Sequence, residues 1–403
     1  MRNTINRAFR KNQKAGRSGR VLGLMAAGIL LAPLLWARRP TAQGEDPANR
    51  IVLDLETSPS NPRNSEGAFI ELRDGRLMFV YTRFTGGGDD SATADIAAVY
   101  SADGGLTWPR SPEIIVKNDA AENVMSASLL RLRDGRLALF YLKKNGLDDC
   151  RLWLRRSSDE AKTWGPAALA IPAPGYFVVN NDRIIQLKSG RLLAPAAFHR
   201  LKGGDRHDMK NFDPRAIALF FLSDDGGQTW RESATWWTLP NLTKTGLQEP
   251  GAIELEDGTL YGWARTDQGC QYQFSSKDGG DTWTPPGPSA FKSPNSPLSM
   301  KRNPGTGDLL AVWNDHSGRF PFPKDHALYG GRTPLVSAVS RDEGKSWEHF
   351  QEVEANPNAG YCYTAIGFLG KHAFLAYWMA ESKAGATVTR LRLRRLGLDW
   401  FAR

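Results

Sequence analysis

The sequence predicts an all-β fold, a six-bladed β-propeller with four-stranded blades. An octapeptide of the form Ser-x-Asp-x-Gly-x-Thr/Ser-Trp occurs five times, with Ala161 in the glycine place of the second copy. Six glycine-containing turns, each followed by an apolar or aromatic run, lie before, between and after these copies and are typical of hairpins. After the N-terminal region, no long segment has convincing helical periodicity.

The five octapeptides, here called Asp boxes, define the repeat length. They are SADGGLTW (101–108), SSDEAKTW (157–164), SDDGGQTW (223–230), SKDGGDTW (276–283) and SRDEGKSW (340–347). Their aspartates fall at positions 103, 159, 225, 278 and 342. A repeat of about 60 residues accommodates four short strands, and six such units form a closed propeller with a central funnel.

The residue types of the Asp box indicate a structural role. Asp and Ser or Thr side chains bond the backbone amides of a turn, Gly supplies backbone freedom, and Trp packs between strands. We therefore expect the boxes to fix turns on the outer rim, away from any catalytic centre.

The charge of the chain is concentrated at its beginning. The whole sequence has 52 Lys and Arg against 43 Asp and Glu, and residues 1–42 contain nine of those cations and no acid. The remainder is balanced at 43 against 43, so it has no general basic footprint for nucleic acid.

Residues 1–42 are predicted to be an export signal, and residues 43–403 the propeller. The apolar run 21–36 is 16 residues long and follows a basic region. That is short for a membrane-spanning helix, which needs about 18 or more apolar residues. Arg38, Arg39 and Pro40 make the cleavage site irregular, so an uncleaved membrane anchor is the alternative. A secreted, periplasmic or cell-surface location follows from either interpretation.

Three cysteines, Cys150, Cys270 and Cys362, are too few for a disulfide scaffold and allow at most one bridge. Their wide spacing matches no metal motif. We therefore expect no metal ion and no cofactor.

Four segments outside the boxes add a more specific pattern. They are GGGDDSATADIAAVYSADGG (86–105), LQEPGAIELEDGTLYGWAR (247–265), GRTPLVSAVSRDEGKSW (331–347) and GYCYTAI (360–366). With the boxes and hairpins, they resemble the sialidase (neuraminidase) superfamily of six-bladed propellers from about residue 50 to residue 395.

The resemblance implies a set of site residues. The catalytic candidates are Asp90 as acid/base, with Asp89 second, and Glu249 paired with the nucleophile Tyr361, with Tyr363 in reserve. The candidates for binding a substrate carboxylate are Arg63, Arg265 and Arg332. The first arginine departs from the family pattern, because Ala68 falls near its expected place, Arg63 comes several residues early and Glu66 lies between them.

These residue types suit an acidic glycan or glycoconjugate. Arg presents a planar, permanently charged fork that binds a carboxylate through two hydrogen bonds. A 2-keto acid glycoside already bears a carboxylate at its anomeric carbon, which repels an anionic nucleophile. A neutral Tyr that is deprotonated by Glu avoids this repulsion. The polar stretch VNNDRIIQL (179–187) is also predicted to line the funnel.

The predicted function is therefore an exported glycoside hydrolase of the exo-α-sialidase type. An incomplete arginine triad would favour a uronic acid or another sugar. A propeller lyase would need a base, for which His199, His207 and His316 are available. A non-catalytic glycan-binding propeller would need no Tyr–Glu pair, and the fold alone does not decide among these functions.

Overall fold

The computed structural model describes residues 48–239, 242–322, 328–383 and 386–403. The predicted export signal, residues 1–42, lies outside the described residues. Within those ranges the helical segments are three short 3₁₀ turns, Met209–Asn211, Leu328–Gly331 and Leu398–Ala402. None of the described helices is long and apolar enough to cross a membrane. The regular structure is otherwise β-strand, which confirms the all-β prediction.

The strands form antiparallel sheets in chain order. Strand β1 (Asn49–Glu56) is followed by a four-stranded sheet composed of β2 (Arg63–Glu71), β3 (Leu77–Phe84), β4 (Ala94–Ser101) and β5 (Glu113–Val116). Adjacent strands of this sheet pair in sequence order, which is the meander expected of a propeller blade.

The next segment is a single nine-stranded sheet. Its strands are β6 (Asn123–Arg131), β7 (Leu137–Gly146), β8 (Asp149–Ser157), β9 (Ala168–Leu169), β10 (Gly175–Val178), β11 (Ile185–Gln186), β12 (Leu192–His199), β13 (Ile217–Ser223) and β14 (Arg231–Glu232). Two parallel residue pairs between β8 and β10 join an antiparallel group on either side.

Three further four-stranded sheets complete the described fold. One contains β15 (Gln248–Glu254), β16 (Leu260–Arg265), β17 (Cys270–Ser276) and β18 (Gly287–Lys292). Another contains β19 (Ser299–Arg302), β20 (Leu309–Asn314), β21 (Leu335–Ser340) and β22 (Glu348–Glu354). The last contains β23 (Ala359–Leu369), β24 (His372–Lys383), β25 (Ala386–Gly397) and β1. The four-stranded blade is therefore confirmed in four separate sheets, whereas the segment from β6 to β14 differs from the prediction of six separate ones.

The two ends of the described chain share one sheet. Strand β1 pairs antiparallel with β25, so the first strand is the outermost strand of the last blade. Asp54 of β1 binds Arg392 of β25 at 2.9 Å, and Arg392 and Arg394 both bind Glu354 of the preceding sheet. This closure ties the N-terminal strand to the last two sheets, and the sequence pattern did not predict it.

The Asp boxes lie where the third strand of each unit leads to the fourth. In the first box, Asp103 accepts the Thr107 backbone amide at 2.9 Å and the Thr107 hydroxyl at 2.6 Å. Ser101 donates to Asp103 and accepts the Gly105 amide. The same hydrogen bonds between Ser, Asp and Thr or Ser recur in the other four boxes. The boxes are thus turn clamps, as predicted.

Replacing Asp225 by Ala should lower the free energy of unfolding by about 1–2 kcal/mol, because several turn amides and the Thr229 hydroxyl lose their acceptor. Thermal and denaturant unfolding measure the effect. Gln228→Ala in the same turn is the control and should change stability by less than about 0.5 kcal/mol, since its side chain makes only an exposed bond. Equal stability of the two variants would contradict the clamp role.

Candidate functional site

The first strands of the sheets meet around a common cavity. Strand β2 contacts β6 and β23, β23 contacts β19, and β19 contacts β15. The cavity has a volume of about 300 Å³. Its polar lining comes from several different strands and loops and consists of Glu66, Asp90, Ser126, Asn180, His199, Gln248, Glu249, Arg265, Arg332 and Tyr363.

Four of these lining residues share an unusual backbone. Glu66, Ser126, Glu249 and Tyr363 have φ angles of 56°, 57°, 45° and 58°, in the left-handed region that non-glycine residues rarely adopt. They lie in β2, β6, β15 and β23, each at the point where the pairing with the next strand shifts register by one residue. Such a shift is a β-bulge. The bulges therefore turn one side chain from each of β2, β6, β15 and β23 into the cavity.

Glu249 and Arg265 form an ion pair in the cavity wall. Glu249 Oε1 accepts from Arg265 Nη1 at 2.7 Å, and Arg265 Nε donates to Asn295 Oδ1 at 2.6 Å. Both charged side chains are nearly buried. The sequence named both as site residues, and the structure places them on the paired strands β15 and β16 and brings them into contact at the cavity.

The structure separates the two tyrosine candidates. Tyr361 is fully buried in the core between sheets, where it packs edge-on against Tyr377, and it does not line the cavity. Tyr363, the reserve candidate, lines the cavity instead. The reason is the bulge between Cys362 and Ala365, which adds a residue and gives Tyr363 its left-handed conformation. The Tyr361 backbone amide donates to the Arg332 carbonyl and so helps to hold the segment that carries this arginine.

Burial raises the pKa of the Tyr363 hydroxyl, and the negative charge of Glu249 raises it further. The positive charges of Arg332 and Arg265 act in the opposite direction. The Arg332 guanidinium lies 5.5 Å from the centre of the Tyr363 ring. Tyr363 is thus a neutral phenol surrounded by one carboxylate and two guanidinium groups.

Arg332 differs from the other cavity arginines in its partners. Its Nη1 donates to Cys362 Sγ at 3.0 Å and its Nη2 to the Asn295 carbonyl at 3.5 Å. No carboxylate among the described residues forms an ion pair with it. A partly buried guanidinium with neutral partners is a ready site for an anionic ligand group.

Arg63 pairs with two acids at the edge of the cavity. Its Nη1 lies 2.5 Å from Asp90 Oδ1, its Nη2 lies 3.4 Å from Glu66 Oε1, and its guanidinium stacks on the Phe84 ring. Arg63 itself is not among the lining residues. The structure therefore brings Arg63 next to the site, but with its charge already balanced.

Asp90 lines the cavity, whereas Asp89 folds back on its own turn and accepts the Ser91 amide. The Asp90 side chain is 65% exposed. Partial desolvation by the surrounding walls raises its pKa, but the charge of Arg63 and the hydrogen bond from it outweigh this effect and lower the pKa overall. Asp90 is thus a carboxylate in this arrangement.

Glu66 is the buried acid of the site. The residue is only 4% exposed. Burial raises its pKa to about 7 against the opposing charge of Arg63, and the nearby carboxylates of Asp90 and Glu249 raise it as well. The following residue is a glycine because a Cβ at Gly67 would overlap the Phe79 ring. The sequence places Glu66 near the expected arginine, but no role was predicted for it.

One wall of the cavity is apolar and aromatic. It consists of Met125, Leu142, Cys150, Tyr176, Val178 and Phe212. His199 stands in this wall and bonds the Asp213 carbonyl through Nδ1 at 3.1 Å, so Nδ1 carries the hydrogen and Nε2 keeps its lone pair. Burial lowers the pKa of His199 to about 4, so its ring is neutral. His207 pairs with Glu122 and His316 bonds the Gly331 carbonyl, both outside the cavity.

The predicted funnel-lining stretch 179–187 contributes one residue to the lining and braces two bulges. Asn180 lines the cavity. Asn181 Nδ2 donates to the Gly67 carbonyl at 2.8 Å and to the Tyr363 carbonyl at 3.3 Å. This loop therefore connects the bulge of β2 with that of β23.

Several buried polar atoms of the lining have no hydrogen-bond partner among the described residues. They are Glu66 Oε2, Asn180 Nδ2, Gln248 Oε1 and Glu249 Oε2. Buried polar atoms are normally bonded, and unsatisfied ones in a cavity indicate a polar ligand or water. The cavity combines these atoms with an apolar wall and an arginine without a carboxylate partner.

Comparison with known proteins identifies the family. A sequence family described as "BNR repeat-like domain" matches residues 75–369. The chain belongs to this family. The match begins in the first hairpin and ends in the last blade, so the BNR repeat-like domain includes all five Asp boxes and most of the cavity lining.

The chain is similar to proteins named as sialidases. The anhydrosialidase of Macrobdella decora is 36% identical over 241 residues, 54% of this chain and 28% of that protein. A sialidase of Vibrio cholerae is 28% identical over 200 residues, 44% of this chain and 23% of that protein. The matched regions thus span about a quarter of each relative. The NanB sialidase of Streptococcus pneumoniae superposes with a TM-score of 0.66 at 14% identity over 87% of this chain and 71% of that one, which shows a shared propeller fold.

The raised pKa of Glu66 predicts how pH affects the stability of this BNR repeat-like domain. Burial raises the pKa of this carboxyl to about 7 in the folded state, against an ordinary value of 4.5. Because the folded state holds the proton more tightly, stability falls as pH rises through this interval. Replacement by Gln removes the effect. The stability of Glu66→Gln relative to the native protein should therefore rise by about 2–3 kcal/mol between pH 5 and pH 8.

Thermal unfolding at the two pH values measures this difference. Glu71→Gln is the matched control, because Glu71 is the exposed last residue of the same strand. Its effect should be small and independent of pH. A Glu66→Gln effect that is equal at pH 5 and pH 8 would show that the carboxyl does not titrate in this interval.

Proposed function

We propose that the protein is an exported glycoside hydrolase of the sialidase type, which removes a terminal acidic sugar from a glycan or glycoconjugate. The observation that carries this proposal is the convergence of Tyr363, Glu249, Asp90, Arg265 and Arg332 on one cavity. Four separate segments supply them, and their residue types are those that hydrolysis of a 2-keto acid glycoside needs. The sialidase names of the relatives support the same reaction class.

The propeller is proposed to have six blades. The nine-stranded sheet divides naturally at the two parallel residue pairs between β8 and β10. On one side, β6 to β9 form an antiparallel meander, and on the other β10 and β11 both pair with β12, which continues to β13 and β14. The first strand of this second unit is interrupted by the stretch that carries Asn180. Two units here and four separate sheets give six.

Arg332 is proposed to bind the substrate carboxylate together with Arg265. Arg332 has neutral partners and Arg265 shares its charge with Glu249, so a carboxylate entering the cavity meets an uncompensated positive charge. In a partly buried site, hydrogen bonds to a charged group contribute more than neutral ones. Arg63 is not proposed as a carboxylate ligand, because Asp90 and Glu66 already balance it.

Tyr363 is proposed as the nucleophile. Its hydroxyl oxygen bonds to the anomeric carbon as the bond from that carbon to the leaving oxygen breaks, and the Tyr proton moves to Glu249. The buried Glu249 Oε2 has no partner among the described residues and is available to accept it. Water then attacks the anomeric carbon, the bond to Tyr363 breaks, and the proton returns.

Asp90 is proposed to protonate the leaving oxygen and then to activate water. It lies at the exposed edge of the cavity, where the remainder of a glycan leaves. Its lowered pKa shows that Arg63 holds it ionised without substrate. Proton donation therefore requires the ion pair with Arg63 to open when the substrate binds, so that Asp90 takes up a proton from solvent before it gives one to the leaving oxygen.

A lyase acting on a uronic sugar is the second candidate function. It is favoured by His199, whose neutral ring stands in the cavity wall with Nε2 free of the hydrogen that Nδ1 carries. Such a ring can remove the α-proton of a uronate. Product analysis separates the two functions, because elimination leaves an unsaturated sugar that absorbs ultraviolet light and hydrolysis does not.

Export is proposed from the sequence of residues 1–42 alone. Nine cations precede and follow an apolar run of 16 residues, as in an export signal. An acidic glycan outside the cytoplasm is consistent with this location.

The two tyrosines provide a matched test of the nucleophile. Tyr363→Phe should reduce turnover of a fluorogenic sialoside by about 10²-fold or more, because it removes the attacking oxygen. Tyr361→Phe should leave turnover near the native level. Its hydroxyl lies near the Asn356 backbone but makes no hydrogen bond of ordinary geometry among the described residues, so its loss should change stability little.

Both variants are measured on fluorogenic sialosides and uronides, after unfolding curves have established that they fold. Loss of activity in Tyr361→Phe with normal activity in Tyr363→Phe would reverse the assignment. Absence of turnover of every substrate by the native protein would contradict the hydrolase.

Arg332→Met should raise KM for an acidic substrate by about 10- to 100-fold, because a hydrogen bond to a charged group contributes about 1.5–3 kcal/mol. Arg341→Met is the control, since Arg341 is exposed and pairs with Glu348. Steady-state kinetics on a sialoside and on the matching methyl ester measure the effect. An equal KM in the native protein and Arg332→Met would show that the carboxylate binds elsewhere.

A further inference from the structure

Glu66 takes no part in the proposed hydrolysis, yet it is placed like the residues that do. Glu66, Glu249 and Tyr363 each occupy a left-handed bulge residue of a first strand and line the same cavity. A non-glycine residue in this conformation is strained, and such strain persists where the surrounding structure enforces it. The bulge of β2 therefore presents Glu66 to a ligand in the same way that the bulge of β23 presents Tyr363.

One oxygen of the Glu66 carboxyl group is used and the other is open. Oε1 accepts from Arg63 Nη2 at 3.4 Å. Oε2 is buried and has no hydrogen bond of ordinary geometry among the described residues. The Ser126 hydroxyl, on the bulge of β6, is close enough to the Glu66 carboxyl group to lower its pKa slightly, but it makes no hydrogen bond of ordinary geometry to Oε2. A buried carboxyl oxygen that faces a cavity needs a donor from whatever fills that cavity.

The surrounding charges restrict what that donor can belong to. Arg63, Asp90, Glu249 and Tyr363 face the same region of the site as Glu66. A second anionic group beside Glu66 would be repelled by three carboxyl groups. A hydroxyl or an amino group would instead complete the hydrogen bonding of Oε2.

We propose that Glu66 is a specificity-determining residue, whose carboxyl group accepts a hydrogen bond from a hydroxyl or amino group of the sugar while the sugar carboxylate is bound by Arg332 and Arg265. This inference rests on the proposed acidic-sugar site and adds a second point of recognition to it. The site then selects sugars that carry one carboxylate and, away from it, a hydrogen-bond donor at a defined position.

The pKa of about 7 supports this role. Near neutral pH the carboxyl group exchanges readily between its two forms, and a donor from the ligand favours the ionised form. In both forms at least one oxygen accepts a hydrogen bond, so the preference for a donor is retained over the working pH range.

A double-mutant cycle between protein and ligand tests the inference. The probes are the methyl α-glycoside of N-acetylneuraminic acid, the methyl glycoside of D-glucuronic acid, and their analogues in which one hydroxyl is replaced by hydrogen or by an amino group. Calorimetry measures binding to the native protein, Glu66→Gln, Glu66→Ala and the control Glu71→Gln. These equilibria do not require turnover.

We expect the native protein to bind one deoxy analogue about tenfold more weakly than its parent. Glu66→Ala should bind the parent glycoside about tenfold more weakly than the native protein does, and it should bind that deoxy analogue as strongly as it binds the parent. Glu71→Gln should behave as the native protein does. Tighter, salt-dependent binding of the amino analogue would show that the donor to Glu66 is cationic. Weaker binding of that analogue would show that the donor is a neutral hydroxyl. Glu66→Gln keeps one acceptor oxygen and should lie between the native protein and Glu66→Ala.

Three results would overturn the inference. Equal sensitivity of the native protein and Glu66→Ala to every deoxy analogue would remove Glu66 from recognition while leaving the acidic-sugar site intact. A large fall in kcat of Glu66→Gln at unchanged KM on a fluorogenic substrate would make it a catalytic group instead. Failure of both parent glycosides to bind the native protein would reject the acidic-sugar site and this inference with it.

Discussion

The centre of the molecule depends on one extra residue in each of four first strands. A regular strand alternates its side chains between two faces, and in a propeller blade both faces pack against neighbouring blades. Irregular residues can direct their side chains along the axis instead. Glu66, Ser126, Glu249 and Tyr363 are those residues, and each adopts the left-handed backbone that makes this possible.

The bulges are held by hydrogen bonds that cross between sheets. Asn181 bonds the carbonyls of Gly67 and Tyr363, and Ser299 bonds the Thr364 carbonyl at 2.6 Å. Asp182 accepts the Ile366 amide and the Lys301 ammonium. These bonds satisfy the backbone groups that the bulges release from strand pairing, so the strain at the lining residues is balanced within the axis.

The sequence predicted the repeated features because they are local. An Asp box or a glycine hairpin makes its hydrogen bonds within eight to twelve residues, so its pattern is visible in a short segment. The closure of β1 on β25 was not predicted, since it joins residues that are more than 300 positions apart. The β8–β10 pairing was missed for a related reason, because two isolated residue pairs leave no periodic signal.

The candidate site shows where a periodic pattern stops being informative. Tyr361 and Tyr363 are two residues apart and would face the same side of a regular strand, so alternation could not distinguish them. The bulge distinguishes the two tyrosines, because it leaves Tyr361 in the core and turns Tyr363 to the cavity. A left-handed tyrosine or glutamate has no reliable sequence signal, unlike the left-handed glycines of the turns. The position of Glu66 therefore required the structure.

Opposite pKa shifts mark the division between the rim and the axis. Asp103 in the first box is exposed, and hydrogen bonds from Thr107 lower its pKa to about 2. Glu66 is buried at the axis, and desolvation raises its pKa to about 7. The rim acid is satisfied by its own turn and has no capacity left for a ligand, whereas the axis acid keeps an oxygen without a partner among the described residues. The acids that recur along the chain thus stabilise turns, whereas Glu66 and Glu249, each with a buried oxygen that has no partner among the described residues, lie at bulges, where the pattern is broken.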